Sequence, residues 1–116
     1  MKISVMQEEA WRIAEEKGFH VGRDDNSRDD TLIRLCLIHS EVSEAVDEVK
    51  KRWAPLTLDN ARVRVAEELA DVLIRCGDLA QCIGVDLQQA VVEKLKKNEK
   101  RPKGYGTPNE GRAGGI

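Results

Sequence analysis

The sequence predicts an all-α fold of four helices, and three observations carry that prediction. Apolar residues recur at a helical period of about 3.6 in four segments. Each segment is bounded by a capping residue, a glycine or a proline. No stretch shows the alternation of a half-buried strand, and no internal repeat stands out. A chain of 116 residues is one domain by length. Four short helices build only a thin core, so the prediction extends to assembly as a dimer or tetramer.

The first helix opens at Ser4, with Ser4 and Gln7 spaced as a capping box, and closes at Gly18, a left-handed stop. Residues 19–30 hold Gly22, Asn26, Ser27 and four aspartates without periodicity, and read as a loop. Ser27 or Asp30 caps the second helix, which runs to about Trp53 before Pro55. The third begins after Asp59 and ends at Gly84. Asp86 and Gln89 form a second capping-box pair, opening a fourth helix that runs to about Lys100 before Pro102. Residues 1–101 therefore form the helical domain, and 102–116 a tail rich in glycine and proline, poorly suited to packing by itself.

Composition narrows the classes of function. A net charge of -2 with both signs interspersed gives no basic surface for nucleic acid or an anionic membrane. No apolar run approaches the roughly 18 residues of a membrane span, and the N-terminus lacks a secretory apolar stretch, so the cytoplasm is the expected location. Cys36, Cys76 and Cys82 make no CxxC pair and sit within apolar helical patterns, which reads as core or near-core thiols in a reducing compartment rather than a zinc site.

The chemistry lies in the acidic residues. At about 100° per residue with Glu41 at zero, Leu35, Ile38, Val42, Val46 and Val49 fall at roughly 60° to 140°. That sector is the expected core stripe, and Glu44 and Glu48 lie beside Glu41 on its edge. The third helix repeats the design: Val65, Leu69, Val72, Leu73, Cys76, Ala80 and Ile83 form a stripe, with Glu68 and Asp71 on the edge. Taken singly, such pairs are salt-bridge partners, and Arg75 stands four residues after Asp71. Packed antiparallel, the two helices bring four carboxylates together, and two unit charges 4 Å apart repel by roughly 4 kcal/mol at an effective dielectric of about 20. An all-oxygen cluster of this kind calls for protonation or a hard cation such as Mg²⁺ or Mn²⁺. No Glu-x-x-His pair is present, which argues against a ferritin-like di-iron centre.

In order, Ile38-His39-Ser40-Glu41-Val42-Ser43-Glu44-Ala45, Glu67-Glu68-Leu69-Ala70-Asp71-Val72-Leu73-Ile74, Gly84-Val85-Asp86-Leu87 and the Lys94, Asn98, Arg101-Pro102 series resemble the MazG-like all-α nucleoside triphosphate pyrophosphohydrolases. The resemblance covers roughly residues 8 to 106. It implies a four-helix MazG-like bundle that cleaves a nucleoside triphosphate to the monophosphate and pyrophosphate, sanitising or balancing the nucleotide pool. It implies Glu41, Glu44, Glu68 and Asp71 as Mg²⁺ ligands, one of which, or a neighbour acting through them, orients the attacking water. Lys94, Asn98 and Arg101 share a helix face and, by the same resemblance, contact the triphosphate and sugar. Their plainer reading is a solvated basic helix end. The chain departs from some relatives in carrying Ser40 where they have a further acidic residue. Two other readings compete: a phosphoribosyl-ATP pyrophosphohydrolase-like enzyme, and a non-catalytic helical interaction module.

Trp11, Phe19, Trp53 and Tyr105 are the full aromatic set. Trp11 reads as a core anchor, and Trp53 and Tyr105 as candidates for holding the base, where a flat apolar surface is wanted. His20 and His39 read as structural or surface residues.

Overall fold

A computed structural model describes residues 1–24, 27–51 and 59–104, the side chains of residues 59–61 excepted. It contains α1 (Ile3–Glu16), α2 (Arg28–Lys50), α3 (Asp59–Ile83) and α4 (Leu87–Lys100), with no strand among the described residues. None of these helices is long and apolar enough to cross a membrane. Trp53, Tyr105 and nearly all of the expected tail lie outside the described residues.

Local chemistry sets the helix ends. Ser27 Oγ accepts the Asp30 amide at 2.9 Å and so fixes the start of α2, making Ser27 rather than Asp30 the cap. Asp86 Oδ1 accepts the Gln89 amide at 2.9 Å, while the Gln89 side chain turns away to Glu93, so only half of the expected capping box forms. Gly18 and Gly84 both take positive φ, and the amides of Phe19 and Val85 reach back to Ala14 and Ala80 to satisfy helix-end carbonyls. The expected Ser4–Gln7 box is replaced by something else: α1 starts beyond Lys2, which makes no side-chain cap. Gln7 is buried, donates to Gln81 Oε1 at 2.9 Å and Val85 O at 2.8 Å, and accepts the Leu87 amide at 3.1 Å. It ties α1 to the α3–α4 turn instead of capping its own helix.

Helix α3 is the spine, with α1 and α2 packed on it and α4 leaning on α1. Gly77 marks the closest approach of α1: a Cβ there would stand 2.8 Å from Met6 Sδ and 3.2 Å from Gln7 Cα. The buried apolar residues are few and mostly small, namely Ala10, Ala14, Leu79, Ala80 and Cys82. Among the described residues no large side chain is fully buried.

The apolar stripe of α2 does not form this core, and that of α3 enters it only at Ala80 among the described residues. Val42, Val46, Leu69 and Leu73 are 47%, 49%, 56% and 59% exposed, whereas Asp30, Arg34 and Glu41 are the buried residues of α2. The helices therefore pack through the charged edge of α2, and the stripe expected to be core faces outward in the single chain. Cys36 is exposed, against the expectation of a near-core thiol; Cys76 is half-buried and Cys82 buried. Burial raises the Cys76 thiol above its ordinary pKa.

Candidate active site

The antiparallel contact of α2 and α3 brings carboxylates together at one end and an Arg-centred network at the other. Oxygens of Glu41, Glu44 and Glu68 lie within 4.8 Å of one another. Asp71, one turn beyond Glu68, is not part of that trio, but its charge acts on Glu68 and it lines a cavity together with Glu41. Arg75 does not pair with Asp71 four residues away. Its Nε instead crosses to Glu41 Oε1 at 2.7 Å.

Glu68 carries the imbalance of the cluster. Its Oε2 is buried and has no hydrogen-bond partner. Loss of solvent raises its pKa above the usual carboxylate range, a hydrogen bond to the Glu44 carboxyl raises it further, and the charges of Glu44, Asp71 and Glu41 add to both. A buried oxygen with nothing to donate to it, in an all-oxygen set, is the donor chemistry a hard divalent cation satisfies. The residues present thus fit Mg²⁺ or Mn²⁺.

The cavity, about 520 Å³, lies between α1, α2 and α3. Ile13, Phe19, Leu37, Ile74 and Leu79 contribute apolar wall, with Glu41, Asp71 and Arg75 at one end and Arg23, Arg34 and Asp78 at the other. That volume is in the range of small-molecule sites.

Lys94 and Asn98 are exposed on α4 and Arg101 is exposed just beyond its end, and α4 packs chiefly on α1 rather than beside the carboxylates. Trp11 is half-buried and stacks on His20, ring centroids 5.4 Å apart. His39 is exposed, as a surface histidine should be.

Sequence reasoning missed the network at the far end. Arg34 donates from Nε to Asp30 at 2.6 Å and from Nη1 to Asp78 at 3.2 Å and to Cys82 Sγ at 2.9 Å. His20 lies between Glu15 and Asp78, 2.6 Å from one and 2.7 Å from the other. Burial opposes protonation of His20, but these two carboxylates outweigh it and leave the imidazole pKa above its ordinary value. The Asp30/Arg34 and Asp78/Cys82 spacings, each i, i+4, were the available signal.

The described residues thus form an all-α protein in which carboxylates of adjacent helices cluster beside a cavity, a group that could hold a metal ion. The MazG-like family model matches residues 37–112, about two thirds of the chain, and the protein belongs to the MazG-like family. A dATP/dGTP diphosphohydrolase of Salmonella phage PMBT28 is 42% identical over 60 residues, which are 52% of this chain. The chain spans only 20% of that relative's length. No solved structure matches.

Proposed function

We propose that the protein is a Mg²⁺-dependent nucleoside triphosphate pyrophosphohydrolase, releasing nucleoside monophosphate and pyrophosphate. The observation that carries this reading is the partnerless, buried Glu68 Oε2 among the carboxylates of Glu41, Glu44 and Asp71. Family membership and the similarity to a phage dATP/dGTP diphosphohydrolase point the same way.

In this reading Glu41, Glu44, Glu68 and Asp71 hold Mg²⁺, or Mn²⁺ in its place. When bound there, such an ion would neutralise phosphate charge and favour deprotonation of the attacking water. Arg75, ion-paired to Glu41, fixes the direction of that carboxylate. The nucleoside lies in the adjoining cavity, whose apolar walls exclude water from the base. The family resemblance makes Lys94, Asn98 and Arg101 the candidates for contacting the triphosphate and sugar, and Trp53 and Tyr105 those for the base, while within one chain α4 packs on α1 and not beside the carboxylates. Positioning and electrostatics then carry most of the catalysis.

A second copy of the chain covers the outward stripes of α2 and α3, giving a dimer or tetramer. Support comes from Val42, Val46, Leu69 and Leu73, all about half exposed or more on the two helices that bear the carboxylates. Light scattering at micromolar concentration should report at least a dimer, and an active 13.0 kDa monomer would refute the assembly.

The decisive assay measures pyrophosphate and monophosphate from a nucleotide panel with Mg²⁺, starting with dATP and dGTP. Orthophosphate and diphosphate as the primary products would overturn the reaction proposed.

A further inference from the structure

We propose that His20, Asp78 and Cys82 form a Zn²⁺ site, separate from the carboxylate cluster and independent of the reaction assigned to it. One atom from each converges on a single point: His20 Nε2 is 2.7 Å from Asp78 Oδ1, and Cys82 Sγ lies 3.9 Å from the first and 3.8 Å from the second. Tetrahedral zinc, with bonds of about 2.0–2.3 Å, sets its ligand atoms about 3.3–3.6 Å apart. Each observed distance is within roughly 0.7 Å of that spacing, a change that side-chain rotation supplies.

The surrounding groups are oriented for a metal. His20 Nδ1 lies 2.6 Å from Glu15 Oε2, so Glu15 can keep the Nδ1 proton while Nε2 gives up its own to ligate. This is the carboxylate–histidine–metal arrangement that fixes a ligating imidazole. Arg34 Nη1, 3.2 Å from Asp78 Oδ2, holds that oxygen away and leaves Oδ1 facing His20. The same nitrogen is 2.9 Å from Cys82 Sγ. Asp78 and Cys82, i and i+4 on α3, share one helix face by construction.

Sulfur and imidazole make this a site for a borderline cation and not for Mg²⁺. On binding, zinc displaces the Nε2 proton of His20 and the Sγ proton of Cys82, and both leave to solvent. Three protein ligands leave the fourth position to water. The site would clasp the residue that follows α1 to α3. Spacing in the sequence gives no warning of it, because His20 stands 58 residues before Asp78.

The rival reading is a metal-free ion-pair network, and Co²⁺ tells the two apart. Added to the full-length, metal-free protein, Co²⁺ should produce a thiolate-to-cobalt absorption band that saturates at one equivalent and is displaced by Zn²⁺. Cobalt at the carboxylate cluster gives no such band, since no sulfur is offered there. The band should vanish in Cys82→Ser and persist in the Cys36→Ser, Cys76→Ser double variant. Glu15→Gln, which leaves all three ligands in place, should weaken Co²⁺ affinity about tenfold or more. A wild type without the band, or a band surviving in Cys82→Ser, overturns the site. If Cys82→Ser does not fold, the Glu15→Gln titration decides: unchanged affinity overturns the site, and weakening supports it.

Discussion

Replacing Arg34 by leucine tests the claim that this fold is closed by charge as much as by apolar packing. Arg34 is buried at 7% exposure and Asp30, its partner at 2.6 Å, at 6%. Leucine fills part of the volume but strands the Asp30 carboxylate and removes one of the cations on Asp78. Breaking a buried pair on one side costs about 3–5 kcal/mol. Arg23, 3.4 Å from Asp30, and His20, 2.7 Å from Asp78, remain as partial substitutes. The expected loss is therefore at the low end, about 3 kcal/mol. For a domain of this size that corresponds to a fall in Tm of roughly 10–20 °C. Urea denaturation followed by far-UV circular dichroism, in chelator, measures it, and an unchanged slope against urea shows that stability alone has moved. The Asp30→Leu, Arg34→Leu double variant should lose less than Arg34→Leu, because the stranded charge is gone. A loss below about 1 kcal/mol in Arg34→Leu would mean that water solvates the network, and the argument from burial would fail.

Three further outcomes follow from the same contacts. Gly77→Val drives a branched side chain into Met6 and the α1 backbone and should destabilise by about 1–3 kcal/mol in thermal melts, whereas a neutral result would mean α1 can move away freely. Lys94→Ala and Asn98→Ala change exposed residues, so stability should hold within about 0.5 kcal/mol while pyrophosphate release falls at least tenfold; full activity in both would return them to a solvated helix face. Glu68→Gln removes one charge from a crowded set, so in chelator Tm should stay level or rise while the Mg²⁺-induced increase disappears. A Mg²⁺ shift as large as that of the wild type would remove Glu68 from the ligand set.

The helices were legible because their signals are local. Ser27, Gly18, Gly84 and Asp86 act on amides and carbonyls a few residues away, and each does in the fold what its chemistry requires. Where α2 and α3 meet was half legible. The matched Glu41/Glu44 and Glu68/Asp71 pairs foretold that carboxylates would approach, and three of the four do so closely. Their neutralising partner was not legible. Arg75 sits four residues from Asp71, yet it reaches Glu41 on the other helix, a choice made by the packing angle rather than by sequence distance. Gln7 misled for a similar reason: it has the spacing of a cap, but its best partners are Gln81 and Val85 on another element.

Periodicity identifies which face of a helix is apolar but not what covers it, and α2 shows the consequence. Its stripe of Leu35, Val42, Val46 and Val49 is 38–49% exposed, while its buried residues are Asp30, Arg34 and Glu41. Placing those charges inside costs desolvation, which the Asp30–Arg34 pair itself and the partners Arg23, Asp78 and Arg75 offset. Leaving the stripe outside forgoes about 25 cal/mol for every Å² of apolar surface still in water. A chain that does both is stabilised less by its own core than its hydrophobic pattern suggests. The second copy proposed above would recover that stripe. It would do so on the two helices that carry the carboxylates, so assembly and the geometry of the cation cluster would be set by the same packing. A substitution such as Val46→Asp, aimed only at the outward stripe, should then weaken Mg²⁺-induced stabilisation together with self-association. Loss of association with an unaltered Mg²⁺ shift would show that each chain builds its carboxylate cluster alone.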